Sequence, residues 1–346
     1  TPDRQTGYHC LPLFVIPLKW GLAGVGMIAH DFLTALGTLP NGYHRVVALA
    51  GKDMERTQKL ANLHKIQTAY DDYSALARDD SVDIVFVSVI NSQHYDVAKL
   101  MLENGKHVLC EKPMAMTYKQ TKSLVDIARE KKLFLLEGMW SRFFPAYDAL
   151  EQHISSGGLG EVYHINIQFG VEINDIERNL MKDFGGGVVL DLGVHMLQLV
   201  QYLYKEAPVD LVCTGHLSSA GVDESMSCSL KYSNGRTATI SAHTRATLTN
   251  RAEIIGTKGT IVMDFFWCPT KLHISAANNT EWTLPQGKFK FHFHNSAGLS
   301  YQIQECGERI REGVLESPKM TLDESVLLAK LSDTMRSQLG VAENGY

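Results

Sequence analysis

Leu18-Lys19-Trp20-Gly21-Leu22-Ala23-Gly24-Val25-Gly26-Met27-Ile28-Ala29 decides the fold. An apolar run the length of one buried strand leads into G-x-G-x-x-A and then into a helix-forming stretch, the context in which a glycine pattern carries information. Gly24 allows a tight turn. Gly26 lets the backbone approach a pyrophosphate, and Met27 and Ile28 belong to the first helical turn, whose amides and partial positive charge favour an anion. Ala29 stands where the third glycine would allow helix and strand to pack closely. A glycine-rich turn without a ligand is the competing reading, and the pattern on either side weighs against it.

Working outward, short apolar runs continue at Val46 to Ala50, Ile84 to Val89, His107 to Leu109 and Leu133 to Leu136. Continuous apolar character suits strands buried on both faces, and Gln58 to His64, Tyr95 to Asn104 and Tyr118 to Lys131 supply helical crossovers. This pattern predicts an α/β Rossmann domain with a doubly wound parallel sheet over residues 18–138. From residue 139 to 346 the strands lengthen and alternate: Tyr163 to Val171, Ser225 to Tyr232, Thr237 to Thr244, Ala252 to Ile255, Thr260 to Met263 and Lys271 to Ser275. Asn234-Gly235 is a hairpin turn signal. With helices at Leu190 to Tyr204, Tyr301 to Glu312 and Leu322 to Gln338, the second half is predicted as an α+β domain on a mostly antiparallel open sheet. Residues 1–17 are expected to be an N-terminal extension.

Hydrophobic residues are 45% of the 346 and charged residues 21%, with a net charge of -5. The chain is long enough for about two domains. It shows no block or stripe of Lys and Arg, so neither nucleic acid nor an anionic membrane is expected as a partner. The apolar stretch Leu11 to Leu18 holds two prolines, lacks a basic leader and a small-residue cleavage site, and is not read as a signal peptide. Cys10, Cys110, Cys213, Cys228, Cys268 and Cys306 follow no C-x-x-C or zinc-like spacing. They are expected to be free thiols in a reducing compartment, hence a cytoplasmic protein.

After the second strand come Gly51, Lys52, Asp53 and Arg56. A carboxylate at this strand end would bind ribose hydroxyls and repel a 2′-phosphate. The first residues here are instead glycine and a cation. Lys52 and Arg56 share a face if a helical turn starts at once, and two cations can hold a phosphate. NADP is therefore the expected cofactor. NAD stays open through Asp53, and both cations also read as ordinary solvated charges.

Glu111-Lys112-Pro113 closes the fifth strand, and active sites of doubly wound sheets lie beyond the carboxyl ends of strands. Gly185-Gly186-Gly187 leads to Asp191 and His195, which are i and i+4 if the segment is helical. A carboxylate beside an imidazole can orient it and tune its basicity. Taken singly, Lys112 reads more often as a solvated charge, and Asp191 with His195 more often as a helix-surface pair. Phe289, Phe291 and Phe293 alternate with Lys290, His292 and His294, an extended segment with one buried and one solvated face. His292 and His294 lack a third ligand at fitting spacing, so no metal site is expected.

Together these residues resemble the Gfo/Idh/MocA oxidoreductases: the glycine loop, Asn91-Ser92-Gln93-His94 after strand four, Glu111-Lys112-Pro113, and the glycine run to Asp191 and His195. Leu136 to Pro145, Gly256-Thr257-Lys258-Gly259 and Trp267-Cys268-Pro269-Thr270 look like the dihydrodiol dehydrogenase branch. The resemblance implies hydride transfer between NADP and a secondary alcohol, with a trans-dihydrodiol of an aromatic compound as substrate. Lys112, Asp191 and His195 would be catalytic. Gly24, Gly26, Met27, Ile28, Lys52, Arg56, Asn91, His94, Glu111 and Lys112 would hold the cofactor. Trp140, Phe169, Trp267 and Phe293 would wall the substrate pocket, although aromatics at such positions also read as core. It also implies a homodimer through the second-domain sheet. One departure bears on the substrate: the diol enzymes carry Tyr as acid/base where this chain has His195, as sugar and inositol enzymes do, and Gln198 stands where many of those have a second Asp. A pentose or other sugar dehydrogenase of the D-xylose type is the alternative, and a catalytically silent NADP-binding regulator is the alternative of another class.

Overall fold

The computed structural model describes residues 16–173, 181–275 and 279–341, so most of the N-terminal extension lies outside the described residues. The apolar runs form strands because their side chains are enclosed on both faces, as at Ile84–Val87, where all four are buried. In chain order the first part contains β1 (Leu18–Ala23), α1 (Met27–Leu36), β2 (His44–Ala50), α2 (Met54–His64), β3 (Thr68–Tyr70), α3 (Tyr73–Ala77), β4 (Ile84–Val87), α4 (His94–Glu103), β5 (His107–Glu111), α5 (Tyr118–Lys131) and β6 (Leu135–Gly138). The six strands pair in parallel in the order β3-β2-β1-β4-β5-β6. This is the doubly wound sheet read from the sequence. Strand order reverses beside β1, which opens a crevice at the carboxyl ends of β1 and β4.

The second part contains α6 (Pro145–Ser155), β7 (Val162–Gly170), a π-helical turn (Val189–Gly193), α7 (Val194–Tyr204), β8 (Asp210–Leu217), β9 (Asp223–Lys231), β10 (Thr237–His243), β11 (Arg251–Gly256), β12 (Gly259–Asp264), β13 (Lys271–Ile274), β14 (Thr280–Glu281), α8 (Leu299–Arg311) and α9 (Leu322–Gln338). Its eight strands run β14-β13-β12-β11-β7-β10-β9-β8, all antiparallel except the pair of β7 with β10. Alternation places Ile165, Ile167 and Phe169 of β7 and Ala238, Ile240 and Ala242 of β10 inward. The opposite face is polar: His164 bonds Thr237, and Thr239 donates to Asn166, which donates to Glu253. Asn234, with φ of 55°, and Gly235 make the β9–β10 turn, as their residue types require.

Several sequence expectations change. β3 is a three-residue, half-buried strand and β8 an exposed edge strand, both too weakly patterned to announce themselves. Cys213 and Cys228 are not free thiols. They stand opposite one another in the β8–β9 register, with Cα atoms 4.1 Å apart, and form a disulfide. Only the pairing of two antiparallel strands brings them together, and the compartment argument from unpaired thiols loses both. Cys110, Cys268 and Cys306 are free and buried. Residues 287–294 form no strand. Phe289 and Phe291 are half-buried, Phe293 is 43% exposed, and the segment lies along α1, where Asp31 accepts the backbone N–H groups of His292 and Phe293 at 2.8 and 3.0 Å.

Candidate active site

The crevice begins at Gly24, whose φ of +112° and 2.5 Å approach to the Ser88 carbonyl oxygen, measured from where a Cβ would stand, admit only glycine. Gly26 faces open space, so a Cβ there would fill volume that a ligand can take. No side chain caps the N-terminus of α1, which leaves its first N–H groups for an anion. Met27 at its start is 52% exposed and Ile28 half-buried. These features fit a dinucleotide pyrophosphate.

At the end of β2 the helix starts later than the spacing of Lys52 and Arg56 requires. Asp53 is the N-cap of α2, its carboxylate accepting the Arg56 N–H at 3.0 Å, so Lys52 lies before the helix and does not share a helical face with Arg56. Both cations are exposed, and neither makes an ion pair among the described residues.

Deeper in the crevice the segments after β4 and β5 meet the glycine run. The Lys112 ammonium donates to the Asp191 carbonyl oxygen at 2.9 Å and stands 3.9 Å from Asp191 Oδ1. Asn91 donates to the Gly185 carbonyl oxygen at 2.9 Å and to Asp191 Oδ1 at 3.4 Å. Gly185 is needed there, because a Cβ would come within 2.7 Å of the Asn91 Cβ. Asp191 sits in the π-helical turn rather than in a regular α-helix, so the simple i to i+4 geometry with His195 does not apply. His195, in the first turn of α7, is 5% exposed, and its Nδ1 makes no hydrogen bond among the described residues. Burial, and then the Lys112 charge, hold its pKa well below the ordinary 6.5, so the imidazole is neutral at pH 7. A neutral base therefore lies within electrostatic reach of a cation.

Two residues expected at the cofactor also bond the backbone. The ring nitrogens of His94 lie 2.7 Å from the Pro113 carbonyl oxygen and 3.1 Å from that of Val89, so a buried imidazole braces the Lys112–Pro113 turn. Glu111 accepts the Lys112 N–H at 3.3 Å. Among the aromatics, Phe169 stacks on Trp267 with centroids 3.9 Å apart and reaches the His195 ring at 6.0 Å. Trp140 is half-buried and packs edge-on against Phe144, and Ser141 beside it donates to the Trp267 carbonyl oxygen at 2.8 Å. Phe293 is 43% exposed. Gln198 does not face the crevice. It is fully buried and bonds Arg142, Tyr147 and the His195 carbonyl oxygen.

Three supporting residues escaped the sequence reading. Glu137 is buried on β6 and accepts the Met114 N–H at 2.9 Å. Asp223 accepts the Val189 N–H at 2.7 Å and anchors the π-helical turn; burial raises its pKa to about 6. Arg142, which follows β6, bonds Gln198 of α7, the Lys319 carbonyl oxygen and Glu324 of α9. Glu137 and Arg142 are charged residues in an apolar context, a weak signal that becomes specific only when the partner is known, and Asp223 lacks even that signal.

A parallel sheet of this order, an open glycine turn at a bare helix N-terminus, and a lysine beside a neutral histidine define a nicotinamide-dinucleotide oxidoreductase. Comparison with known proteins agrees. Residues 18–139 match the model described as "Oxidoreductase family, NAD-binding Rossmann fold", and residues 147–262 match the GFO/IDH/MocA C-terminal domain. The chain is 39% identical over 325 residues to trans-1,2-dihydrobenzene-1,2-diol dehydrogenase of Xenopus tropicalis, covering 93% of this chain and 98% of that one. It is 34% identical to the Homo sapiens protein of that name, covering 94% and 97%. Among solved structures, a levoglucosan dehydrogenase in complex with NADH and L-sorbose superposes with a TM-score of 0.83 at 17% identity, covering 95% and 100%. A 3-ketoreductase from Actinomadura kijaniata with NADP and TDP-benzene does so at 0.81 and 24%, covering 93% and 98%. The chain belongs to the Gfo/Idh/MocA oxidoreductase family. Among the described residues no helix is long and apolar enough to cross a membrane.

Proposed function

We propose that this chain is an NADP-dependent dehydrogenase that oxidises a trans-dihydrodiol of an aromatic compound, with Lys112, Asp191 and His195 as its catalytic residues. The observation that carries this reading is the enclosed His195, near enough to the Lys112 ammonium for that charge to lower its pKa and 6.0 Å from the Phe169 ring of the stacked Phe169–Trp267 pair. That pair offers a flat apolar wall beside a base and a cation, which suits a planar ring bearing a hydroxyl. The name shared by relatives 34–39% identical supports the same substrate class.

Bound nicotinamide supplies the hydride acceptor. His195 takes the hydroxyl proton on one ring nitrogen, and Lys112 donates a hydrogen bond to the same oxygen as alkoxide charge develops. Asp191 holds Lys112 from its carbonyl oxygen and carboxylate. The product ketol of a dihydrodiol tautomerises to a catechol, and aromatisation draws the reaction forward; a sugar has no such sink. Following NADPH formation at about 340 nm with trans-dihydrodiols, pentoses, hexoses and inositols tests the reading. Turnover on pentoses alone replaces the diol with the sugar reading that His195 suggests. No turnover on any, with NADP bound, makes the chain a silent regulator.

NADP rather than NAD is favoured by the placement of charge after β2. The Asp53 carboxylate is committed to the α2 N-cap, while the exposed Lys52 and Arg56 are available to a 2′-phosphate. Replacing both by Ala should raise KM for NADP by about ten-fold or more, the worth of one or two charge-assisted hydrogen bonds, and leave that for NAD nearly unchanged. Equal effects on the two cofactors remove the argument.

The polar open face of the eight-stranded sheet is proposed to pair with a second copy as an isologous dimer. Sedimentation equilibrium at micromolar concentration should show a dimer. Monomer alone would defeat the assignment.

A further inference from the structure

A cluster of histidines stands where α1, the end of α2 and residues 287–294 meet. His30 of α1 and His64 at the end of α2 meet with Nδ1 of the first 3.1 Å from Nε2 of the second. His292, from the segment that crosses α1, brings its ring to 5.0 Å from that of His30, and ligand atoms of His30, Asp31 and His292 lie within 4.8 Å of one another. The sequence offered His292 without a third ligand; the fold supplies His30, His64 and Asp31 from helices more than 220 residues earlier.

We propose that His30, Asp31 and His292 bind one divalent transition-metal ion of the zinc class, with His64 turning in beside His30 as the fourth ligand, clipping residues 287–294 to α1 and α2. Three imidazoles and a carboxylate are the donor set zinc takes in four-coordinate sites. Two nitrogens on one tetrahedral zinc, each about 2.0–2.1 Å from it, stand about 3.4 Å apart, close to the His30–His64 separation. His30 already has a fixed tautomer. Its Nε2 donates to the Lys290 carbonyl oxygen at 3.2 Å, which leaves the Nδ1 lone pair pointing at His64, the usual way a backbone carbonyl orients a metal-binding imidazole. His64 gives up its bond to His30 by changing tautomer and turns the same nitrogen to the ion.

Asp31 is buried, and its two oxygens already accept the His292 and Phe293 N–H groups, so the carboxylate is held in place and keeps lone pairs for a cation. Its negative charge offsets Lys288, whose ammonium lies over the Phe289 ring. Phe289 itself caps the His64 and His30 rings at 4.9 and 5.9 Å and forms an apolar shell on one side. A groove of about 290 Å³ lined by His64, Lys288 and Phe289 gives a path of entry. His292 is exposed, so its ring can close the remaining distance without disturbing the core.

The test uses the whole chain stripped with a chelator and titrated with Co²⁺, read by visible absorption, and with Zn²⁺, read by calorimetry. One equivalent per chain should bind with Kd of about 1 μM or tighter, and cobalt should give the intense bands of a tetrahedral site. His292→Ala and His30→Ala should each weaken binding about ten-fold or more. The exposed His292 keeps that variant folded, which circular dichroism checks, so it decides the matter even if His30→Ala is unstable. Binding that is absent at micromolar zinc, or unchanged in His292→Ala, overturns the proposal and leaves the cluster a hydrogen-bonded clasp.

Discussion

His195→Asn is expected to lower kcat/KM for oxidation by about 10² to 10⁴, the worth of a positioned acid/base, with little change in cofactor affinity. Asparagine keeps the size and polarity of the side chain but cannot take a proton. The pH profile carries the finer statement. A general base works in its unprotonated form, so log kcat/KM falls on the acid side of its pKa. Burial and the Lys112 charge both depress that pKa, which places the acid limb below about pH 6.5 and leaves the profile flat from there towards pH 8. Lys112→Met removes one of the two causes. It should slow the reaction by removing the hydrogen bond to the alkoxide, and move the acid limb to higher pH. A structural histidine would show neither the loss of rate nor the shift. His195→Tyr introduces the acid/base that the resemblance assigns to diol enzymes, and should retain more activity than His195→Asn with its limb at higher pH. Near wild-type turnover in His195→Asn would transfer the proton to Lys112 or Asp191.

Arg142→Leu is expected to destabilise the chain by about 3–5 kcal/mol, because removing one member of a buried charged network leaves its partners without donors. Arg142 is 2% exposed, and its guanidinium donates to Gln198 Oε1, the carbonyl oxygens of Gln198 and Lys319, and Glu324 Oε1, all between 2.7 and 3.0 Å. It also lies 5.0 Å from the Tyr202 ring centroid. Leucine fills part of the volume and answers none of these acceptors. Glu324 would lose its ion pair while still closing the capping box with Thr321 at the start of α9. Urea unfolding at pH 7 measures the loss. Arg142→Lys should recover only a fraction of it, since an ammonium cannot reach acceptors on three sides at once. A loss below about 1 kcal/mol would mean that the network breaks even against solvation.

What the sequence determined by itself is whatever repeats along the chain or depends on neighbours in it. Continuous apolar runs announced the strands of the parallel sheet, and β1, α5 and α9 match their expected bounds residue for residue. The last two are closed by local capping: Thr117 accepts from Gln120, and Thr321 shares a capping box with Glu324. Gly24, Gly26 and the Lys112, Asp191 and His195 positions were legible for the same reason, since each sits at a strand end or a glycine run that the local pattern marks. The tertiary structure decided everything that depends on partners distant in sequence. It placed Asp53 at the N-cap of α2, and bent the Asp191 turn into a π-helix anchored by Asp223. It buried Gln198 against Arg142, joined Cys213 to Cys228 across a strand pair, and brought His292 to His30 and Asp31. A side chain's charge state and partner are set by what encloses it, and enclosure is a property of packed elements that no window of sequence contains.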